Sequence, residues 1–351
     1  NGGFSAHGAD RVVALGGTAS PAALTWGASD FLTGPGGDNN YTFMLGSTSS
    51  THTLEFQNAI NLGTRDRRIE LADGTSATNV DGRLTGVLSG TGGSVIKEGT
   101  GRLEFTAANT YTGRTDVNAG SLLIASTGKT GTGAVTVAAN AALMGAGTVQ
   151  GSSFTLAANG SLHAGNGGTT ADIGTLTFQT SGQAVYDLQS GSTVFLDIQN
   201  ASNHGSIDAT FGGNAVGSAG YNAFVDAFSG VGAGTHDLLV FDAAAGSTLT
   251  FSGVITVRPE GFTAENGQIF NLLDWTSLVS ADFSGFDVGT NFRTGAADDL
   301  LQFDLPELTG GLIWDISRFT TSGVIVVVPE PGRALLLLIG LLPLALRRRR
   351  R

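Results

Sequence analysis

The chain has 351 residues, 54 of them glycine, a formal net charge of −11 and only 13% charged residues. Glycine is roughly twice its usual share and charge about half. The acidic balance leaves no basic face for phosphates and argues against nucleic acid as a partner, and the absence of cysteine excludes disulfides and thiolate chemistry. Glycine mixed with Thr, Ser, Ala, Asn and Val predicts many short strands joined by tight turns, with no long helix before the C-terminus. The chain begins at Asn1 with neither a methionine nor a secretion signal, which reads as a mature form or a fragment.

Residues 1–83 read as irregular β-solenoid coils. "HTLEF" (His52–Phe56) and "RRIEL" (Arg67–Leu71) alternate like strands, and "ADGTS" follows as a turn. Alternation is most regular over 84–181, in "RLEF" (Arg102–Phe105), "TDVN" (Thr115–Asn118), "AVTV" (Ala134–Val137), "FTL" (Phe154–Leu156) and "TLTF" (Thr175–Phe178). Gly or Asn follows nearly every run, which is turn chemistry. "VTVAANAALMGAG" (Val135–Gly147) repeats as "FTLAANGSLHAGN" (Phe154–Asn166) at an offset of 19 residues, the length of one solenoid coil. The alignment sets Val135 and Val137 on Phe154 and Leu156, Asn140 on Asn159, and Leu143 on Leu162. A coil cannot bury its inward side chains alone, so the repeats must stack. The competing reading is two hairpins of similar composition.

Within the same region, Gly93–Ile124 carries K-x-G-x-G-x-L, then N-T-Y-x-G-x-T, then V-x-x-G-x-L. The residues are Lys97, Gly99, Gly101 and Leu103, then Asn109, Thr110, Tyr111, Gly113 and Thr115, then Val117, Gly120 and Leu122. Phe105 departs from the aliphatic residue common at its position. This stretch resembles the autotransporter-associated β-strand repeat, also known as the passenger-associated transport repeat. The resemblance covers about a tenth of the chain and implies a right-handed parallel β-helix with no catalytic activity.

Residues 182–323 hold longer, more apolar runs such as "STVFLDI" and "HDLLVF". They are expected to form a wider solenoid segment or a capping β-sandwich, because a solenoid end left open exposes core and unpaired strand edges. The fold class expected is therefore all-β, a parallel β-helix with a β-rich C-terminal cap and a short C-terminal transmembrane helix.

Chemistry-bearing patterns are sparse. His7, His52, His163, His204 and His236 show no metal-ligand spacing. His163 is expected at a surface or corner, and His236-Asp237 as turn residues. There is no G-x-S-x-G elbow, and the glycine-rich Gly34–Asn40 and Gly165–Gly168 lack a P-loop lysine. Asp298-Asp299 and Gly36–Asp38 offer oxygens for calcium, but without the tandem β-roll repeat they read as solvated turns, and no cofactor or metal is expected. Asp187, Asp197, Asp208 and Asp226 would have to converge in one cleft for glycoside hydrolysis. Solvent-facing alternation is the preferred reading. Trp26, Trp275 and Trp314 offer sugar-stacking rings, with core or cap packing preferred for the last two.

The segment 324–351 divides into a rigid Val328-Pro329-Glu330-Pro331, an apolar run Ala334–Leu346, and Arg347, Arg348, Arg349, Arg350 and Arg351. Thirteen apolar residues make a helix of about 20 Å, short of the roughly 30 Å hydrocarbon core. The arginines would stay on the cytoplasmic side. The order and spacing are similar to the PEP-CTERM sorting signal. That resemblance implies recognition of Pro329, Glu330 and Pro331 by a membrane-embedded exosortase, transient membrane insertion of the apolar run, and a stop at the arginines. The competing reading is a plain single-pass anchor.

Together these readings predict an exported, non-enzymatic structural or adhesive solenoid of a Gram-negative-type bacterium. The inner-membrane precursor would give a mature form at the cell surface or in the extracellular matrix, with exopolysaccharide or surface glycans as partners. The alternative is a secreted β-helix polysaccharide lyase or hydrolase. A passenger carrying its own outer-membrane barrel is disfavoured, because no series of alternating ten-residue strands precedes the arginines.

Overall fold

The computed structural model describes residues 1–28, 31–33, 41–75, 80–167, 172–199, 209–231, 234–278, 280–287, 289–295 and 302–330. The chain winds through three faces of parallel strands, making ten coils among the described residues. The first face contains ten strands, from Gly2–Phe4 through Ser94–Glu98, Thr115–Val117, Val135–Val137 and Ser153–Leu156 to Ser280–Asp282. The second runs from Arg11–Val13 through Arg102–Phe105, Gly120–Ile124, Ala141–Gly145 and Ser161–Ala164 to Phe303–Asp304. The third is built in two blocks, Leu24–Thr25 to Leu88–Ser89 and Thr148–Val149 to Leu273–Asp274. Among the described residues only the single bridges Ala108–Lys129–Thr148 span the gap between those blocks.

Alternation becomes columns. On the second face, Leu54, Gly82, Leu103, Leu122, Leu143, Leu162, Val194, Ile255 and Phe303 stand one above another and face inward. The 19-residue repeat is in register, with Val135 on Phe154, Val137 on Leu156 and Leu143 on Leu162. Asn140 and Asn159 both take positive φ, 62° and 61°, at equivalent corners. Short amide side chains tolerate that conformation best after glycine. Their contact runs through the backbone, Asn140 N–H donating to the Asn159 carbonyl at 2.9 Å, rather than through a side-chain ladder.

Residues before 84 also form solenoid coils, contributing strands to all three faces, with longer and less even spacing between coils than the repeat region. Beyond 182 the solenoid runs on, and its cap is a single sheet rather than a β-sandwich. The solenoid continues to Phe303–Asp304, and an antiparallel four-stranded sheet closes its end in the order Ile269–Asn271, Val324–Pro329, Leu312–Asp315, Phe292–Arg293.

Val324–Pro329, grouped with the tail when read as sequence, is a central strand of this cap. Ile325 and Val327 join the solenoid core, while Val324, Val326 and Val328 pack against Tyr221 and Val225. Those two belong to the helix Ala219–Asp226, N-capped by Ser218, which accepts from Tyr221 N–H at 3.1 Å. The Tyr221 hydroxyl donates to Asp315 at 2.6 Å, and Arg318 grips Asp226 with both nitrogens at 2.9 and 2.5 Å. Composition gave no sign of this helix, which survives among glycines because its cap and tertiary packing supply what propensity does not.

Other expectations are corrected by burial. His236 and Asp237 are fully buried rather than turn residues on the surface. Asp197 is also buried, not solvent-facing, because Arg258 neutralises it through bonds of 2.6 and 2.8 Å. No helix among the described residues is long and apolar enough to cross a membrane. The run Ala334–Leu346 lies outside them.

Candidate functional site

The repeat motif of 97–120 turns its chemistry inward. Lys97 occupies an apolar column between Ile69 and Val117, with Val137 and Leu156 beyond. It is fully buried. Its ammonium reaches the corner and donates to the carbonyls of Glu98 (3.1 Å), Gly99 (2.7 Å) and Ala119 (2.9 Å), tying one coil to the next. Burial lowers its pKa to about 8, because low-dielectric surroundings penalise the charged form. Gly99 sits at φ 75°, and any β-carbon there would drive into the Leu71 carbonyl of the coil below. Gly101 and Gly120 lie equally close to backbone of the preceding coil. Leu103 belongs to the inward column of the second face.

Asn109 stands where the third face has no strand. Its Oδ1 accepts from Leu88 N–H and its Nδ2 donates to the Lys129 carbonyl, both at 2.8 Å, so one side chain bridges three coils. Thr110 is exposed and pairs through its backbone, donating to the Leu88 carbonyl. Tyr111 is fully buried and shares a 2.6 Å hydrogen bond with the hydroxyl of Thr115, an inward residue of the first face. Gly113 leaves room for the Gly93 backbone beneath it. Apart from Thr110, every polar side chain of the motif is committed to the fold.

Of the sorting residues, Pro329 ends the cap strand and Glu330 N–H donates to the Gly311 carbonyl at 3.0 Å. Pro331 and Arg347–Arg351 lie outside the described residues, as do His204, Asp208, Asp298, Asp299 and Gly36–Asp38.

The outward residues differ between faces. On the first face Asp116, Thr136, Thr155, Asp187, Thr250 and Asp282 form a polar column. On the second, Glu55, Arg83 and Glu104 stack as ion pairs and then give way to Leu123, Met144, His163 and Phe195. The lengths of chain between strands next to the second face differ from coil to coil. The connection 72–81 replaces one that spans only 99–101 in the next coil, and 165–174 replaces 146–147. Beside the second face lies an open cleft of about 390 Å3, lined by Asp73, Gly74, Thr75, Asp81, Thr100, Arg102 and Ser121. Long insertions in a repeat fold commonly mark its binding face.

Several buried ionisable groups bond within the fold. Asp237 accepts from Gly174 N–H and Asp197 N–H, each at 2.8 Å. Burial nevertheless pushes its carboxyl up to about 8. His236 Nε2 donates to the Asn271 carbonyl at 2.9 Å. His163 stacks on Phe195 at 4.5 Å, and burial, with Arg258 and Arg102 nearby, lowers its pKa to about 4. Asp187, Asp197 and Asp226 serve three different elements with different partners. Trp26 and Trp314 are buried, and Trp275 is half-buried. Among the described residues no three His, Asp or Glu side chains are grouped to hold a metal ion.

With this geometry in place, comparison with known proteins adds the family of the repeat. Residues 95–124 match the Passenger-associated-transport-repeat. Over 297 residues, 76% of this chain, the sequence is 29% identical to "Adhesin BmaC autotransporter" of Brucella suis biovar 1 (strain 1330). The matched stretch spans 8% of that relative's length. No solved structure matches the chain.

Proposed function

We propose that this chain is an exported, non-enzymatic β-solenoid that works as a structural or adhesive module at the cell surface or in the extracellular matrix. The observation that carries the reading is the commitment of the repeat's Lys97, Asn109, Tyr111 and Thr115 to the interior. It leaves function to the outward Thr, Asp and Ser side chains and to the corner loops. The repeat match and the likeness to an adhesin support the same reading. Its partners are exopolysaccharide or surface glycans, and its acidic surface disfavours nucleic acid.

Delivery is assigned to an exosortase acting at Pro329-Glu330-Pro331, with Ala334–Leu346 inserting transiently in the inner membrane and Arg347–Arg351 held inside. The order of the tail supports this, with Pro329-Glu330-Pro331 followed by a short apolar run and an arginine cluster. Mass spectrometry of the native C-terminus is the test. A terminus close to Pro329 is expected, and a mature protein retaining Arg347–Arg351 overturns the sorting assignment. Host cells lacking the chain are expected to adhere less or to build a weaker matrix, and unchanged adhesion and matrix overturn the functional reading.

A further inference from the structure

Resting on the glycan-partner reading above, we infer that the cleft lined by Asp73, Thr75, Asp81 and Arg102 is a subsite for one neutral sugar unit of a glycan. Its volume, about 390 Å3, falls at the low end of the about 300–1,000 Å3 of small-molecule sites. Donors and acceptors converge there with almost no apolar lining, as a polyhydroxylated ligand requires. Asp73, Thr75 and Thr100 are exposed, Arg102 is half-buried and Ser121 is buried.

Arg102 is fixed before any ligand arrives. Its Nε donates to the Ser121 hydroxyl at 3.2 Å, and one terminal nitrogen donates to the Asn166 carbonyl at 3.1 Å, 64 residues along the chain. Asn166 is itself held by Asp172, through its N–H at 2.5 Å and its Nδ2 at 2.9 Å. The guanidinium is thus held by Ser121 and Asn166, while the Arg102 backbone N–H donates to Asp81 at 2.8 Å. The remaining N–H groups of a guanidinium so clamped are oriented donors for sugar hydroxyls. Such preorganisation lowers the ordering cost of binding.

Charge selects the class of sugar. Asp81, Asp172, Asp73 and Glu104 all act on Arg102. Glu104 is paired with Arg83, which leaves Asp81, Asp172 and Asp73 around the one guanidinium; that balance disfavours a uronate or a sulfated sugar, whereas hydroxyl groups donate to carboxylates and accept from the guanidinium. The cleft is also built to hold rather than to hydrolyse. Asp81 is buried and spends its two oxygens on Gly74 N–H and Arg102 N–H, each at 2.8 Å. Asp73 is then the one lining carboxylate without a hydrogen bond among the described residues, while hydrolysis takes a working pair.

The test uses the full-length chain on an array of neutral and acidic oligosaccharides, followed by calorimetry on the best neutral binder. Asp73→Asn, at an exposed position, and Arg102→Gln are each expected to weaken binding about tenfold or more. Asp187→Asn, on the first face, is expected to leave it unchanged. Thermal unfolding of each variant separates lost binding from lost fold, and Asp73→Asn carries the result if Arg102→Gln unfolds. Neutral-glycan binding that survives Asp73→Asn and a folded Arg102→Gln overturns the cleft while leaving the glycan reading intact. Preference for acidic oligosaccharides overturns the neutral-sugar assignment. Binding to no glycan at all overturns both the cleft and the reading beneath it.

Discussion

The repeat coils and the C-terminal cap bury apolar surface in opposite ways. Between residues 94 and 164 each coil poses the same problem to the next. The same small set of answers recurs, with aliphatic columns, glycine where backbones touch, and a few polar side chains that bond across coils. The cap meets its problem once. It reverses strand direction and fills the solenoid's end with rings, including Phe303 against Phe319 at 4.5 Å and Phe262 against Trp314 at 5.7 Å. Its packing follows no period. The repeat tolerates no change in shape at its corners, whereas the cap depends on strands far apart in sequence arriving together.

The largest expected effect falls on the cap. Val327→Asp places an unpaired charge among fully buried neighbours and should cost more than about 3 kcal/mol, read as a lowered denaturant midpoint. Retention of wild-type stability would show that the cap closes nothing. Next comes the repeat corner. Gly99→Ala meets both positive φ and the Leu71 backbone and should cost about 2–3 kcal/mol, against about 1 kcal/mol for Gly8→Ala, where φ is also positive but the space is open.

Lys97→Met should cost about 1–3 kcal/mol through three orphaned carbonyls, and it should alter the pH response. Folded Lys97 loses its proton near pH 8 and the unfolded group near 10.5. Its contribution to stability is therefore highest above pH 10.5 and declines to a floor as pH falls through 8. The difference between wild type and Lys97→Met across that window isolates it, and a flat difference would contradict the burial described. His163 behaves similarly at lower pH. Its folded pKa of about 4 against 6.5 unfolded means stability is lost as pH falls from 6.5 to 4, by about 1–2 kcal/mol after allowing for the partly open ring. His163→Gln should remove that loss. Smallest of all, Thr136→Ala on the outer column of the first face should stay within about 0.5 kcal/mol, measured by the same denaturation.

What was legible in the sequence follows from this contrast. Val135 over Phe154 and Leu143 over Leu162 were readable because stacking preserves spacing, so a period in sequence becomes a column in space. Lys97 was visible as a motif residue, but not as a buried ammonium, because its three carbonyl partners are supplied by corner geometry. Asp237 and His236 look like turn residues locally. Their burial depends on Gly174, 63 residues before Asp237, and on Asn271, 35 residues after His236. The cleft was equally hidden, since Arg102 is held by Asn166, 64 residues along the chain. The helix Ala219–Asp226 draws its stability from Asp315, Arg318 and the cap strand, none of which lies near it in sequence.

The place of Val324–Pro329 also sets an order of events. A chain synthesised from its N-terminus can stack coils as they emerge. Its terminal face stays greasy and open until the cap is complete. The strand that completes it is inserted between Ile269–Asn271 and Leu312–Asp315, and it lies directly before Glu330. The final step of assembly is thus threading a keystone, and a chain halted even a few residues short would present wet aromatic rings to its surroundings instead of a sealed end.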